Sequence, residues 1–376
     1  MKVYFPNLNS LRFFAALLVI IHHIEQYKEV LGLPNYFHNH SIQLMSKIGV
    51  TLFFVLSGFL ITYLLLFEQK ERGNIQIKYF YIRRILRIWP LYYFIIFLAF
   101  FIFPHINFMH LPGHDGSHFM VKLLFFVFMM PNVIHAMGAG LAFGTQTWSI
   151  GAEEQFYLIW PWFIKLFKNK LLIVICVIVA YAGLRYLFDL LFYKHVIFAY
   201  LYRIWYLFPI DNMAFGGLFA VIYFNNYKKL LALLYSKLLQ ILIWILIIAM
   251  IISGKSLGYF HHQIYSLLFG ILILNLATNS NSIVNFRIKI IDYLGKISYG
   301  LYMYHSIFIF VSIKLLASFG WSNNILIYFL SFVLSIGISI LSYEYFEKRF
   351  ISKKSKYSTI LSGENAHFQS SLKYKH

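Results

Sequence analysis

Several ionisable side chains stand inside or at the edges of long apolar segments, where charge is costly and marks candidate sites. The first segment, LRFFAALLVIIHH, carries Arg12, His22 and His23. Eleven helical steps from Arg12 to His23 turn through about 1100°, within about 20° of three whole turns, so the two share a helix face about 16 Å apart. His22 lies about 100° further round. A neutral imidazole can take a proton from a hydroxyl, and a guanidinium suits an anionic group. An anchoring arginine and a histidine bonded to a neighbouring carbonyl account for the same pair without chemistry.

A second group, RRILRIWP, places Arg83, Arg84 and Arg87 just before an apolar run. Arg84 and Arg87 are three apart, hence neighbours on a helix, and arginine binds phosphate in a bidentate fork. The competing reading is topology and lipid-headgroup contact. A third, TWSIGAEEQFYLIWP, sets Trp148, Ser149, Glu153 and Glu154 at a helix entrance, with Ser149 as the expected cap. Capping does not explain two carboxylates at the edge of hydrocarbon; one of them could orient or deprotonate a histidine. A fourth, GKISYGLYMYHSIF, holds His305 about ten residues into its segment, with Tyr302 beside it. Asp211 and Glu344–Glu347 are weaker candidates. Cys176 is the one cysteine, which excludes an intramolecular disulfide and a Cys-rich metal site. His38/His40 and His261/His262 lack carboxylate or thiolate partners at ligand spacing, so no metal is expected.

The elements that must position these groups are membrane helices. Of the 376 residues 60% are hydrophobic and 12% charged, against about 45–50% and about 25% in soluble chains, so lipid must solvate much of the surface. The expected fold is all-α: a polytopic integral membrane bundle of about ten transmembrane helices, near 11–27, 48–67, 90–103, 152–167, 171–192, 210–224, 238–253, 264–277, 297–316 and 324–345. Several are short for a hydrocarbon core of about 30 Å. The run 119–133 is apolar but short and ends at Pro131. If it spanned, every later loop would flip against the positive-inside rule, so it is expected to be re-entrant or interfacial. Both termini then face the cytoplasm, the loop 104–147 faces outside, and the chain is a multi-pass protein of the plasma (inner) membrane. The net charge of +19 is carried mostly by residues flanking apolar runs, which argues against nucleic acid as a partner. No small-residue cleavage site follows the first run, which is read as a retained span. Residues 1–350 form the transmembrane domain, and 351–376 a polar, disordered cytoplasmic tail.

Taken together, NSLRFFAALLVIIHH, FFVLSGFLIT, RRILRIWPLYY, TWSIGAEEQFYLIWP and GKISYGLYMYHS resemble, in order, the acyltransferase-3 family of membrane O-acyltransferases, over residues 5 to 350. The resemblance implies a ten-helix bundle, an acyl-CoA donor (acetyl-CoA foremost) on the cytoplasmic side, and transfer to a hydroxyl of a cell-surface polysaccharide or lipid-linked sugar. It implies that His23 is the essential first-helix histidine and Arg12 its paired arginine. Arg84 and Arg87 match the Arg-x-x-Arg pair, Trp148 and Glu153 the Trp-Ser…Glu motif, and His305 a recurring ninth-helix histidine. Ile150 stands where leucine is common. Some members carry a fused SGNH-hydrolase-type domain; this chain ends too soon to have one, so it is expected to finish transfer itself or to use a separate extracytoplasmic partner.

On this reading the catalytic residues are His23, Glu153 and His305. Arg12, Arg83, Arg84 and Arg87 bind the donor, while Trp148, Ser149, Glu154 and Tyr302 line the site. Glu153 would orient the His23 imidazole, and His305 or a nearby tyrosine would stabilise the oxyanion. Two other functions remain open: a transporter or flippase using the same buried charges, and an acyltransferase acting on a small metabolite or lipid. A CoA requirement separates the first from the enzyme.

Overall fold

The structure is a computed structural model describing residues 2–3, 5, 7–112, 118–358 and 361–362. The apolar runs fold as helices because hydrocarbon offers no partner to a backbone N–H or C=O, so each must be satisfied within its own segment. Sixteen α-helices follow in order among the described residues: α1 (Leu8–Val30), α2 (His40–Arg72), α3 (Ile77–Phe97), α4 (Phe119–Val127), α5 (Pro131–Ala136), α6 (Trp148–Leu166), α7 (Lys170–Leu191), α8 (Val196–Tyr206), α9 (Ile210–Phe224), α10 (Lys228–Leu234), α11 (Lys237–Ser253), α12 (His261–Thr278), α13 (Lys289–Lys296), α14 (Ser298–Ser318), α15 (Asn324–Ser342) and α16 (Lys348–Lys353). The extended pairing among these residues is two residues long: Lys2–Val3 runs parallel to Leu361–Ser362 and brings both chain ends to one end of the bundle.

All ten expected segments are helical, but the spans differ from expectation in length and number. Eight helical stretches among the described residues are long and apolar enough to cross a membrane, or nine if α10 and α11, bent by 54°, count as one. The remaining expected span, α6, carries Glu153, Glu154 and Lys165 in 19 residues. It buries Phe156 and Trp160 and exposes Leu158, Trp162 and Leu166 on the opposite face, a single stripe at i, i+4, i+8. The short spans gain length from neighbouring elements. α9 continues α8 as one stretch, Val196–Phe224, and α3 continues through a π turn and a 3-10 turn as Ile77–His105, 29 residues each or about 44 Å. Helix α8 had no counterpart in the expected spans.

The run 119–133 is broken into α4, nine residues, and α5, six residues. Nine residues rise only about 14 Å, so neither piece spans, in line with the re-entrant or interfacial expectation. Residues 113–117 of the loop before them lie outside the described residues. The tail expected from 351 continues helical through Tyr357 and packs against α3; from 359 onward it lies outside the described residues, apart from the Leu361–Ser362 pairing.

The bundle is held where helices meet backbone to backbone. A Cβ added at Gly58 of α2 would sit 1.8 Å from the Met213 carbonyl oxygen of α9, and one at Gly216 would sit 2.0 Å from the Val55 carbonyl oxygen. Close approach through small residues is how membrane helices gain packing energy when lipid is as apolar as the side chains. At the other extreme, Gly337 of α15 has nothing within 4 Å of its added Cβ. Gly216→Val is therefore expected to destabilise the detergent-solubilised protein by at least about 1–3 kcal/mol, and Gly337→Ala to leave it near wild type. Thermal unfolding followed by size-exclusion chromatography checks both.

Candidate active site

Two of the cavities among the described residues hold the candidate groups, one lined by arginines and the other by imidazoles. The first, of about 100 Å³, is bounded by Arg12, Arg84, Arg87, Ser57, Glu153 and Tyr157, with Ser149, Tyr299 and Tyr302 above them. Its arginines are held from several sides. Asp292 of α13 accepts from the Asn9 amide at 3.0 Å, and the Asn9 oxygen accepts from Arg12 at 2.9 Å, so a short amphipathic helix aims a first-helix cation. The Arg84 guanidinium lies 5.5 Å from the Phe80 ring centroid and 5.4 Å from that of Tyr157, while its Nε has no partner. Glu153 is tied down completely: Ser57 donates to one carboxylate oxygen at 2.9 Å and Tyr157 to the other at 3.0 Å. Arg12 and Arg84 are both near enough for their charges to act on this carboxylate.

The second cavity, about 420 Å³, is lined by His22, His23, His135, His262, Lys47 and Trp148, with other residues between them. The Nδ1 atoms of His22, His23 and His305 each face a backbone carbonyl: Ile42 at 2.8 Å, Val19 at 2.7 Å and Tyr302 at 2.6 Å. A carbonyl only accepts, so each Nδ1 carries the proton and each Nε2 keeps its lone pair. The His23 ring lies 5.0 Å from that of His22 and 4.8 Å from that of His305. His305 is 0% exposed, behind His23, and its Nε2 has no partner.

Val50, Phe54 and Tyr302 belong to the walls of both cavities. The chambers are thus neighbours across a wall of three side chains. Tyr302 is held there by its hydroxyl, which donates to the Gln146 carbonyl at 2.9 Å and accepts from Ser149 at 2.7 Å. Cations at one mouth, a held carboxylate, a shared wall and a bare imidazole nitrogen beyond it could bring an anionic donor and a hydroxyl acceptor together from opposite sides. No group of three or more His, Cys, Asp or Glu among the described residues is placed to hold a metal ion.

The family model described as an acyltransferase domain matches residues 5–344. The chain belongs to the acyltransferase-3 family. It is similar to the peptidoglycan O-acetyltransferase OatA of Listeria monocytogenes, 29% identical over 333 residues, which is 81% of this chain and 49% of that protein. It is also similar to YrhL of Bacillus subtilis, a candidate peptidoglycan O-acetyltransferase, 32% identical over 168 residues, covering 43% of this chain and 24% of that protein. The chain spans about half or less of the length of these relatives. No solved structure matches it.

This acyltransferase-3 chain brings most of the expected residues to the two cavities, but not all together. Arg12, Arg84, Arg87, Ser149, Glu153 and Tyr302 line the first, and His23, Trp148 and again Tyr302 the second. Glu153 and His23 line different cavities, and the hydrogen bonds of Glu153 are to Ser57 and Tyr157. His305, which was expected to donate to an oxyanion, presents an acceptor nitrogen in its neutral form because its proton is held on the Tyr302 carbonyl. Ser149 does not cap α6: the helix begins one residue earlier, at Trp148, and the Ser149 hydroxyl serves Tyr302. Glu154 lines neither cavity and accepts from the Trp89 indole at 2.9 Å.

Arg83 also lies outside both cavities. It donates to Glu68 at 3.1 Å and to the Tyr357 carbonyl at 2.8 Å, fastening the tail to α2 and α3. The sequence reading gave no role to Ser57, Tyr157, Lys47 or Asn212. Ser57 stands in the FFVLSGFLIT run and Tyr157 in the TWSIGAEEQFYLIWP run, as polar groups within apolar segments, and that was the available sign. Arg83→Gln is expected to lower stability by about 1–3 kcal/mol while the folded protein keeps its activity, whereas Arg84→Gln should keep stability and lose donor affinity. Unfolding curves and donor titrations on the purified variants separate the two.

Proposed function

We propose that the chain is a membrane O-acyltransferase that moves an acetyl group from acetyl-CoA to a hydroxyl of a cell-surface glycan, with peptidoglycan the acceptor suggested by its relatives' names. The observation that carries this reading is the shared wall of Val50, Phe54 and Tyr302 between an arginine-lined and an imidazole-lined cavity. Arg84 and Arg87, with Arg12 deeper in the same cavity, bind the donor phosphates at the basic end, which on this reading faces the cytoplasm. The thioester reaches the shared wall. The acceptor enters the larger cavity and offers its hydroxyl to His23.

His23 is the general base, since it lines the cavity and Val19 fixes its ring through Nδ1–H, which leaves the Nε2 lone pair for the proton. The hydroxyl proton moves to Nε2, the oxygen forms an ester bond with the acyl carbon, and the carbon–sulfur bond breaks. The thiolate leaves with the proton that Nε2 returns. Glu153 acts on the donor side: clamped by Ser57 and Tyr157, it fixes the cavity wall and balances the charges of Arg12 and Arg84. His305 holds the His23 ring in place by contact.

Two measurements test this. Membranes given labelled acetyl-CoA should place the label in a glycan fraction, and a transporter would leave none there. His23→Ala should lower transfer by about 10²–10⁴-fold or more while inserting in the membrane and eluting as wild type does. Full transfer by that variant would refute the assignment.

A further inference from the structure

The larger cavity carries a recognition surface that the transfer chemistry does not use, and we infer that it selects an acceptor sugar bearing a single negative charge. The inference rests on the acyltransferase reading and extends it to the class of acceptor. Among the lining residues there are four histidines and one lysine, and no aspartate or glutamate. Lys47 makes no ion pair among the described residues. It stands one face of α2 along from Val50, Thr51 and Phe54, at i+3, i+4 and i+7, so the helix carrying part of the shared wall also carries this cation. Its charge is within electrostatic reach of His22, His261 and His262.

The histidines do not compete for the anion. Thr51 spends its hydroxyl proton on the Lys47 carbonyl at 2.8 Å, so His262 Nδ1–H faces an acceptor at 3.4 Å. His262 Nε2 then accepts from Tyr206 at 3.0 Å. Both His262 nitrogens are therefore occupied, and Lys47 is the one lysine or arginine in the lining. Neither nearby acid lines the cavity: Asp211 accepts from Gln263 through one oxygen at 2.7 Å and keeps the other buried without a hydrogen-bond partner, and Glu25 is closed in by Lys28, Tyr328 and the Tyr36 N–H.

Two further features suit a sugar. Asn212 lines the cavity, is 3% exposed, and its side-chain oxygen has no partner, which leaves an acceptor for a sugar hydroxyl and a cost of burial until one arrives. His135 and Trp148 stack at 6.4 Å and 24°, giving a flat apolar wall for the ring's C–H face. A single ammonium matches a single negative charge, as on a sugar carboxylate or a phosphodiester. Lys47 is exposed, so a neutral ligand would leave its ammonium to water.

The test compares a galacturonide oligosaccharide, the same oligosaccharide after carboxyl reduction, and the methyl phosphodiester of the reduced sugar, each as acceptor for purified protein with labelled acetyl-CoA. Acetyl transfer and CoA thiol release are both read. At least one charged sugar should be acetylated at about tenfold lower concentration than the reduced one, and which one it is tells carboxylate from phosphodiester recognition. Lys47→Gln should bring it to the level of the reduced sugar, and Lys47→Arg should restore the preference. Equal use of all three by the wild type, or a preference that survives Lys47→Gln, overturns the inference and leaves the acyltransferase reading standing. Failure of every sugar and of the isolated cell-wall glycan to draw thiol release overturns both.

Discussion

Backbone contact between α2 and α9 is the constraint on which the site depends. Gly58 and Gly216 leave no room for a methyl group at their crossing, and lipid supplies no hydrophobic force to replace that contact. Helix α2 walls both cavities, with Lys47, Val50, Thr51 and Phe54 on one and Phe53 and Ser57 on the other. The position of α2 therefore sets the wall between them. A helix moved outward by one side chain would open the wall that the two cavities share.

A second demand shapes the polar groups: in hydrocarbon a polar atom must find a partner or do a job. The histidines satisfy it through Nδ1–H bonds to carbonyls of α1, α2 and α14, which fixes the tautomer and leaves Nε2 bare. Glu153 satisfies it through Ser57 and Tyr157, whereas Glu154 takes the Trp89 indole on one oxygen and leaves the other buried without a partner. Thus the imidazole at position 23 is oriented by its own helix, and the acid at position 153 belongs to the arginine-lined cavity.

Adjacent residues with the same chemistry have parted company. Arg83 latches the tail and Arg84 faces the cavity; Glu154 anchors Trp89 and Glu153 joins the arginines. Successive helix positions point about 100° apart, so one of each pair can face a cavity while the other faces a neighbouring helix. The buried ion pair of Glu25 and Lys28, both 0% exposed, shows the same principle at the far end of α1. A charge in this bundle is tolerated where a neighbour completes it.

The sequence by itself determined that this is an all-helical membrane bundle, because apolar runs of this length have no other way to satisfy their backbone. It also placed Arg12 and His23 on one face, from the rise and pitch of one helix, and read 119–133 as re-entrant or interfacial, from the distribution of basic residues among the loops. Its motifs pointed to the family and to most of the cavity residues. Only the tertiary structure decided which groups meet. That Glu153 pairs with Ser57 and Tyr157, that Arg83 is a latch, and that Lys47 and Asn212 line the larger cavity all depend on contacts between helices distant in the chain. Periodicity describes one helix at a time, and the distance between two faces is set by the close packing of the helices that carry them.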